Sequence, residues 1–158
     1  MAVEVLKFIA KAEQIAGEDP SYRIGGTGKD GTCDCIGLVI GAIRRAGGRW
    51  TGRKGTNYTA RREMRELAEI GSAAELRTGD VVFKAHEPGE GGYDAERINR
   101  SYASSPDRRD YYHIGIVISP KPLRILHMTS PRAAVDRKIG KWRFHGRLRK
   151  IDYKNRAA

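Results

Sequence analysis

Cysteine is nearly absent from this chain. Cys33 and Cys35 are the only two in 158 residues. One residue apart, they make a poor structural disulfide, and neither has another partner. A disulfide-stapled scaffold is therefore excluded. A zinc site on the pair would need histidines too, and Cys-x-Cys is a weak zinc signal, so no metal and no cofactor are expected. Long apolar runs are also missing, the longest being broken by glycines, which argues against a membrane span. The first residues, Met1-Ala2-Val3-Glu4-Val5-Leu6-Lys7, lack the basic start, apolar middle and small-residue cleavage site of a signal peptide.

Acidic residues are scarce: 19 Asp and Glu stand against 30 Lys and Arg, for a net charge of +11. The excess is uneven. Residues 132–158 carry ten Lys and Arg against Asp136 and Asp152. Such a field favours a polyanionic partner, whether an anionic wall polymer, a membrane surface or nucleic acid. The plainer alternative is a solvated face.

What is present reads as one domain over 1–158, with 39% hydrophobic and 31% charged residues. Val5, Phe8, Ile9, Ala12 and Ile15 recur at helical spacing over 3–16, and Gly17 and Pro20 end that element. A glycine-rich turn region, 21–31, follows; it lacks the spacing of a phosphate loop. The apolar run Ile36–Ile43 ends in Arg44-Arg45 with Gly47 beyond, which predicts a buried helix opening at Cys35. Trp50 to Gly55 is expected to be a basic loop. Met64, Leu67, Ala68 and Ile70 predict a second amphipathic helix over 57–70. Arg77–Asp80 is a turn into a short strand, Val81–Phe83. Residues 84–110 show no clear period and read as a long inserted loop, either functional or mobile. Tyr111–Ser119 alternates as a strand, with His113, Gly115 and Val117 on one face and Ile114, Ile116 and Ile118 on the other. Pro120-Lys121-Pro122 turns the chain into a partner strand, Leu123–Met128. A last strand is expected over about 146–153.

Cysteine nucleophiles need a thiolate, an imidazole to exchange its proton and a polar group to orient the imidazole. A helix start favours the thiolate through its unpaired N–H groups. A hairpin turning near Lys121 places His113 and His127 across from one another, within about 5 Å at Cβ. Cys35, His113 and His127 are thus a candidate constellation, although Cys35 alone could equally be a small buried hydrophobe. His86 and His145 have no such placement. Cys33 has no partner and is expected to fill space.

The ordered blocks Asp34-Cys35-x-Gly37-Leu38-Val39, Arg77-x-Gly79-Asp80-Val81-Val82-Phe83, His113-Ile114-Gly115-Ile116-Val117-Ile118 and Ile125-Leu126-His127 resemble the NlpC/P60 family. Tyr22-Arg23-Ile24-Gly25-Gly26-Thr27 fits the same pattern, so the resemblance runs over about residues 5–130. It implies an α+β, papain-like fold, with N-terminal helices and the nucleophile helix packed on an antiparallel β-sheet. It also implies a cysteine endopeptidase that cuts peptidoglycan stem peptides at the γ-D-glutamyl–diamino acid bond. On that resemblance Cys35 is the nucleophile, His113 the general base and acid, and His127 the orienting member. Tyr22 would help form the oxyanion or substrate pocket, and Asp34 would contact the amino terminus of the stem peptide. Ile36 departs from the family pattern, where serine is common. The expected setting is the bacterial cell wall, reached by a phage- or prophage-encoded enzyme released without a signal peptide, or else cytoplasmic recycling. Residues 132–158 would hold anionic wall polymers. Two other readings are a papain-like amide or ester hydrolase with a non-wall substrate, and a nucleic-acid-binding module using Arg132–Arg156 with Trp142, Phe144 and Tyr153.

Overall fold

Asp34 closes the first turn of the central helix, its Oδ1 accepting a hydrogen bond from the Gly37 N–H at 2.6 Å. That helix, α2, runs Cys35–Arg45 and is buried from Cys35 to Ile43. A helix apolar all round must lie inside the protein, and α2 does, between α1 and the sheet. Helix α1, Val5–Gly17, buries the five residues its periodicity singles out: Val5, Phe8, Ile9, Ala12 and Ile15. Gly37 and Gly41 let the 26–27 backbone lie directly on α2, where a Cβ at either would strike Gly26 O or Thr27 O. These elements belong to a computed structural model, which describes residues 2–52 and 55–156. Arg53 and Lys54 of the expected basic loop, and Met1, Ala157 and Ala158, lie outside the described residues.

The remaining elements are β1 (Val3–Glu4), β2 (Ser21–Tyr22), β3 (Thr32–Cys33), a short α3 (Thr56–Tyr58) continued by a π-helical turn (Thr59–Glu63), β4 (Met64–Glu69), β5 (Val81–His86), α4 (Ala95–Tyr102), β6 (Asp110–Pro120), β7 (Leu123–Met128), β8 (Ala133–Asp136), β9 (Phe144–Leu148) and β10 (Ile151–Asp152). Six of them form one antiparallel sheet, in the order β4-β9-β5-β6-β7-β8. One face carries Val81, Phe83, Ile114, Ile116, Leu126 and Met128 against the helices. The other carries a smaller cluster of Leu76, Val82, Val117, Ile125 and Trp142. The alternation read from 111–119 is thus realised. Among the described residues no helix is long and apolar enough to cross a membrane.

Three expectations change. The helix expected over 57–70 stops at Glu63, and Met64–Glu69 pairs with β9 instead. The pairing is possible because residue 146 is glycine: a Cβ there would meet Glu66 O at 1.7 Å. Cross-strand pairing outweighs helix propensity here, because propensity is only a weak prior. The segment 84–110 is not structureless. It lengthens β5 to His86 and contains α4, capped by Asp94 and burying Ile98. Arg109 Nε donates to Glu87 Oε2 at 2.7 Å, and Tyr93 Oη to Arg108 O at 2.7 Å, closing the segment on itself. With one buried apolar residue in eight, α4 gives no periodic signal. The last strand is split, because the chain turns at Arg149 and Lys150 and β10 leaves the sheet to run parallel to β1.

Candidate active site

Cys35 stands at the first position of α2, 8% exposed. Helix α2 lies across β6 and β7, which brings the thiol to the backbone N–H of Ile114, one residue beyond His113. The Tyr22 hydroxyl also faces the thiol and the Cys35 N–H, from the adjoining β2. Burial pushes the Cys35 thiol up to about 11, with the Asp34 charge adding to it, against the lowering by the Ile114 and Ile36 N–H groups and Tyr22. Burial therefore outweighs the helix start, and the resting form at neutral pH is the thiol rather than the expected thiolate. Tyr22 is itself pushed up to about 12, by burial first and then by the negative charge of Cys35 and Asp34.

The two histidines meet. His113 Nε2 lies 2.8 Å from His127 Nδ1. The hairpin pairs Ile116 with Leu126 and Val117 with Ile125. Continued by one step, that ladder sets His127 opposite Gly115, diagonal to His113 rather than directly across. Diagonal neighbours on one face remain within reach of long side chains.

Beyond His127 lies a residue that sequence reasoning did not find. Asp136 Oδ1 is 3.1 Å from His127 Nε2, in a bent contact. Asp136 Oδ2 accepts from Trp142 Nε1 at 2.9 Å. Trp142 in turn stacks on His113, with ring centroids 5.3 Å apart, and meets His127 edge-on at 5.2 Å. No signal near Asp136 marked it, since it appeared only as one of two acids in a basic tail.

The Asp136 carboxylate beside His127 Nε2 is the basis on which the tautomers are assigned. With Asp136 an acceptor, His127 Nε2 carries the proton, so His127 Nδ1 accepts. His113 Nε2 then donates, and His113 Nδ1 keeps a free lone pair. Burial first, then the neighbouring His127 ring and the Lys84 ammonium, lowers His113 to about 4, only partly offset by Asp136. His113 is thus a neutral imidazole at pH 7, able to accept a proton. Among the described residues the Cys35 sulfur and the His113 ring form no hydrogen bond with each other.

Asp34 is a clamp that engages both oxygens: Oδ1 holds Gly37 N, and Oδ2 accepts from Gly25 N at 2.7 Å. Beside it lies a cavity of about 220 Å³ whose lining includes Ile24, Thr27, Asp34, Ile36 and Ile40. Cys33 is fully buried, donates its S–H to Asp34 O at 3.3 Å and is pushed up to about 12 by burial, as suits a space-filling residue. His145 lies 3.4 Å from Asp80, and His86 stacks on Tyr112; neither reaches the Cys35–His113 region. Half of the cations in 132–158 are spent on ion pairs: Arg132 with Asp19, Arg143 with Glu69 and Glu87, Arg147 with Glu66, Lys150 with Glu63, and Arg156 with Asp80. Arg137, Lys138 and Lys141 remain exposed on the stretch that leads to Trp142.

No family model and no curated protein matches the sequence. Solved structures do. NlpC1 from Trichomonas vaginalis superposes with a TM-score of 0.56 at 14% identity, over 91% of this chain and 44% of that one. A Staphylococcus aureus protein described as similar to lipoprotein, NLP/P60 family, gives a TM-score of 0.51 at 18% identity, over 92% of this chain and 42% of that one. The chain thus spans less than half the length of either. At these identities the likeness concerns the fold, and the fold of this chain is the α+β, papain-like fold of NlpC/P60 proteins.

Proposed function

We propose that this protein is a cysteine endopeptidase that cuts the stem peptides of peptidoglycan at the γ-D-glutamyl–diamino acid bond. The observation that carries this reading is the line of groups Asp136–His127–His113 on the strand whose next residue, Ile114, turns its backbone N–H to the Cys35 thiol at the start of a buried helix. Attack requires His113 Nδ1 to take the thiol proton as the Cys35 sulfur adds to the carbonyl carbon. The oxyanion that forms lies at the α2 start, where the Cys35 N–H and the Tyr22 hydroxyl donate to it. The His113 imidazolium, held by His127 and Asp136, gives its proton to the leaving amine, and the C–N bond breaks. The resulting thioester is hydrolysed by a water that His113 deprotonates, releasing the carboxylate and restoring the thiol. Because both partners rest uncharged, this is general-base catalysis on a thiol, with the proton passing to His113 as the C–S bond forms.

Asp34 caps α2 through Oδ1 and holds the Gly25 N–H through Oδ2, so its contact with a peptide amine uses the second lone pairs of those oxygens. Arg137, Lys138 and Lys141, clustered on one exposed stretch, are the cations proposed to hold an anionic wall polymer. The test is digestion of purified diaminopimelate-type and lysine-type peptidoglycan, followed by amine release and mass spectrometry of the products. Cleaved γ-glutamyl bonds, lost in Cys35→Ala, are expected. Intact stem peptides from both wall types would overturn the reading.

A further inference from the structure

Lys84 is the cross-strand partner of His113, paired with it in register between β5 and β6. Partners in register share a face of the sheet, so Lys84 stands on the face that holds His113, His127 and Trp142. It is half-buried, with Nζ 4.8 Å from the centroid of the Trp142 ring, the same ring that stacks on His113. The aromatic face steers the ammonium toward the catalytic residues but is no counter-charge. Among the described residues no carboxylate forms an ion pair with Lys84. Asp136 feels its charge, yet is committed to Trp142 and His127. The lysine also disfavours the protonated form of His113, the form that must arise during reaction. A cation there opposes the chemistry unless a bound anion offsets it.

We propose that Lys84 forms a carboxylate-binding site on the catalytic face, taking the free α-carboxylate of the γ-linked glutamyl residue whose bond is cut. The inference rests on the γ-glutamyl substrate proposed above. A γ-linked glutamyl residue keeps its α-carboxylate, four carbon–carbon bonds from the scissile carbonyl carbon, a reach of roughly 5 Å. Lys84 Nζ and the His113 ring flank the same Trp142 ring, 4.8 Å and 5.3 Å from its centroid, so both stand at one short stretch of the sheet face. The bound anion neutralises the ammonium and restores the basicity of His113, so the correct substrate activates its own base. Amidation of that carboxylate, which leaves the scissile bond unchanged, removes the effect.

The test uses two soluble tripeptides, L-Ala-γ-D-Glu-diaminopimelate and its α-carboxamide analogue. The wild-type protein is expected to cut the acid with kcat/KM roughly tenfold to a hundredfold above the amide, as suits one charge-assisted hydrogen bond. Lys84→Met should bring the ratio close to one, and Lys84→Arg should keep it. A lysine that merely reaches past the sheet to water would leave the wild type indifferent, and equal rates overturn the proposal, as does a preference that survives in Lys84→Met. Binding of the same peptides to Cys35→Ala, by calorimetry, separates this site from the reaction. Tighter binding of the acid, lost in the Cys35→Ala/Lys84→Met double variant, supports the carboxylate site even if the wild type cuts neither peptide, an outcome that sinks the proposed reaction alone. Equal binding of acid and amide to Cys35→Ala sinks the site.

Discussion

The two faces of β6 are built for different ends. Toward the helices, Ile114 and Ile116 are fully buried and sit in the main core with Phe8, Ile40 and Phe83. On the opposite face, His113 alternates with Gly115 and Val117, and the apolar cluster is small. The helix-covered face supplies the stability, since burying an aliphatic side chain contributes about 1.5–3 kcal/mol. The other face can then carry half-buried polar groups that a core would not tolerate. The period of two in a strand places both sets within one short sequence, so the polar groups are anchored by packing one residue away. Cys35 crosses that division: it hangs from a core helix, yet its thiol meets the Ile114 N–H beside His113.

Substitutions on either face test this division of labour. The largest effect is expected from Cys35→Ala, which should lower amide hydrolysis by ~10³-fold or more, with an unchanged circular dichroism spectrum and melting temperature. Next, Ile116→Ala should cost about 2–5 kcal/mol of stability by emptying the main core. Val117→Ala should cost less, because its cluster is smaller, and denaturant titration of both measures the difference. If Val117→Ala costs more, the outer face is the principal core and the division is wrong.

Two variants sharpen the outer face. Asp136→Asn should lower kcat by about tenfold to a hundredfold, because His127 loses the acceptor that fixes its tautomer. Asp136 raises the pKa of His113, so its removal should also move the acid limb of the kcat/KM profile to lower pH. The smallest effect is expected from Lys84→Met in that same limb. Lys84 lowers His113, so its loss should move the limb to higher pH, opposite in sign to Asp136→Asn. A pH–rate titration of both variants that shows shifts in one direction would remove His113 as the titrating base.

Local pattern alone gave away α1, β6 and β7, because the helical period of 3.6 or the strand period of two reads the buried set directly, and α2, because its unbroken apolar run stops at Arg44-Arg45 and Gly47. Cys35 and the histidine pair were legible for the same reason, being fixed to a helix start and to one strand face. Strand β4 was not, since Met64 and Leu67 suit either period and only the close approach at Gly146 decides for the sheet. Helix α4 was not, since it buries Ile98 alone.

The sequence by itself determined which side chains share a face, because alternation is a local property of the backbone. Only the tertiary structure decided what those faces meet. It set His127 diagonal to His113, folded the tail back to bring Asp136 and Trp142 onto them, and stood Lys84 beside them with no ion pair among the described residues. It also neutralised half of the tail's cations against acids far away in sequence. Contacts of this kind join residues on separate strands, and no local period records them.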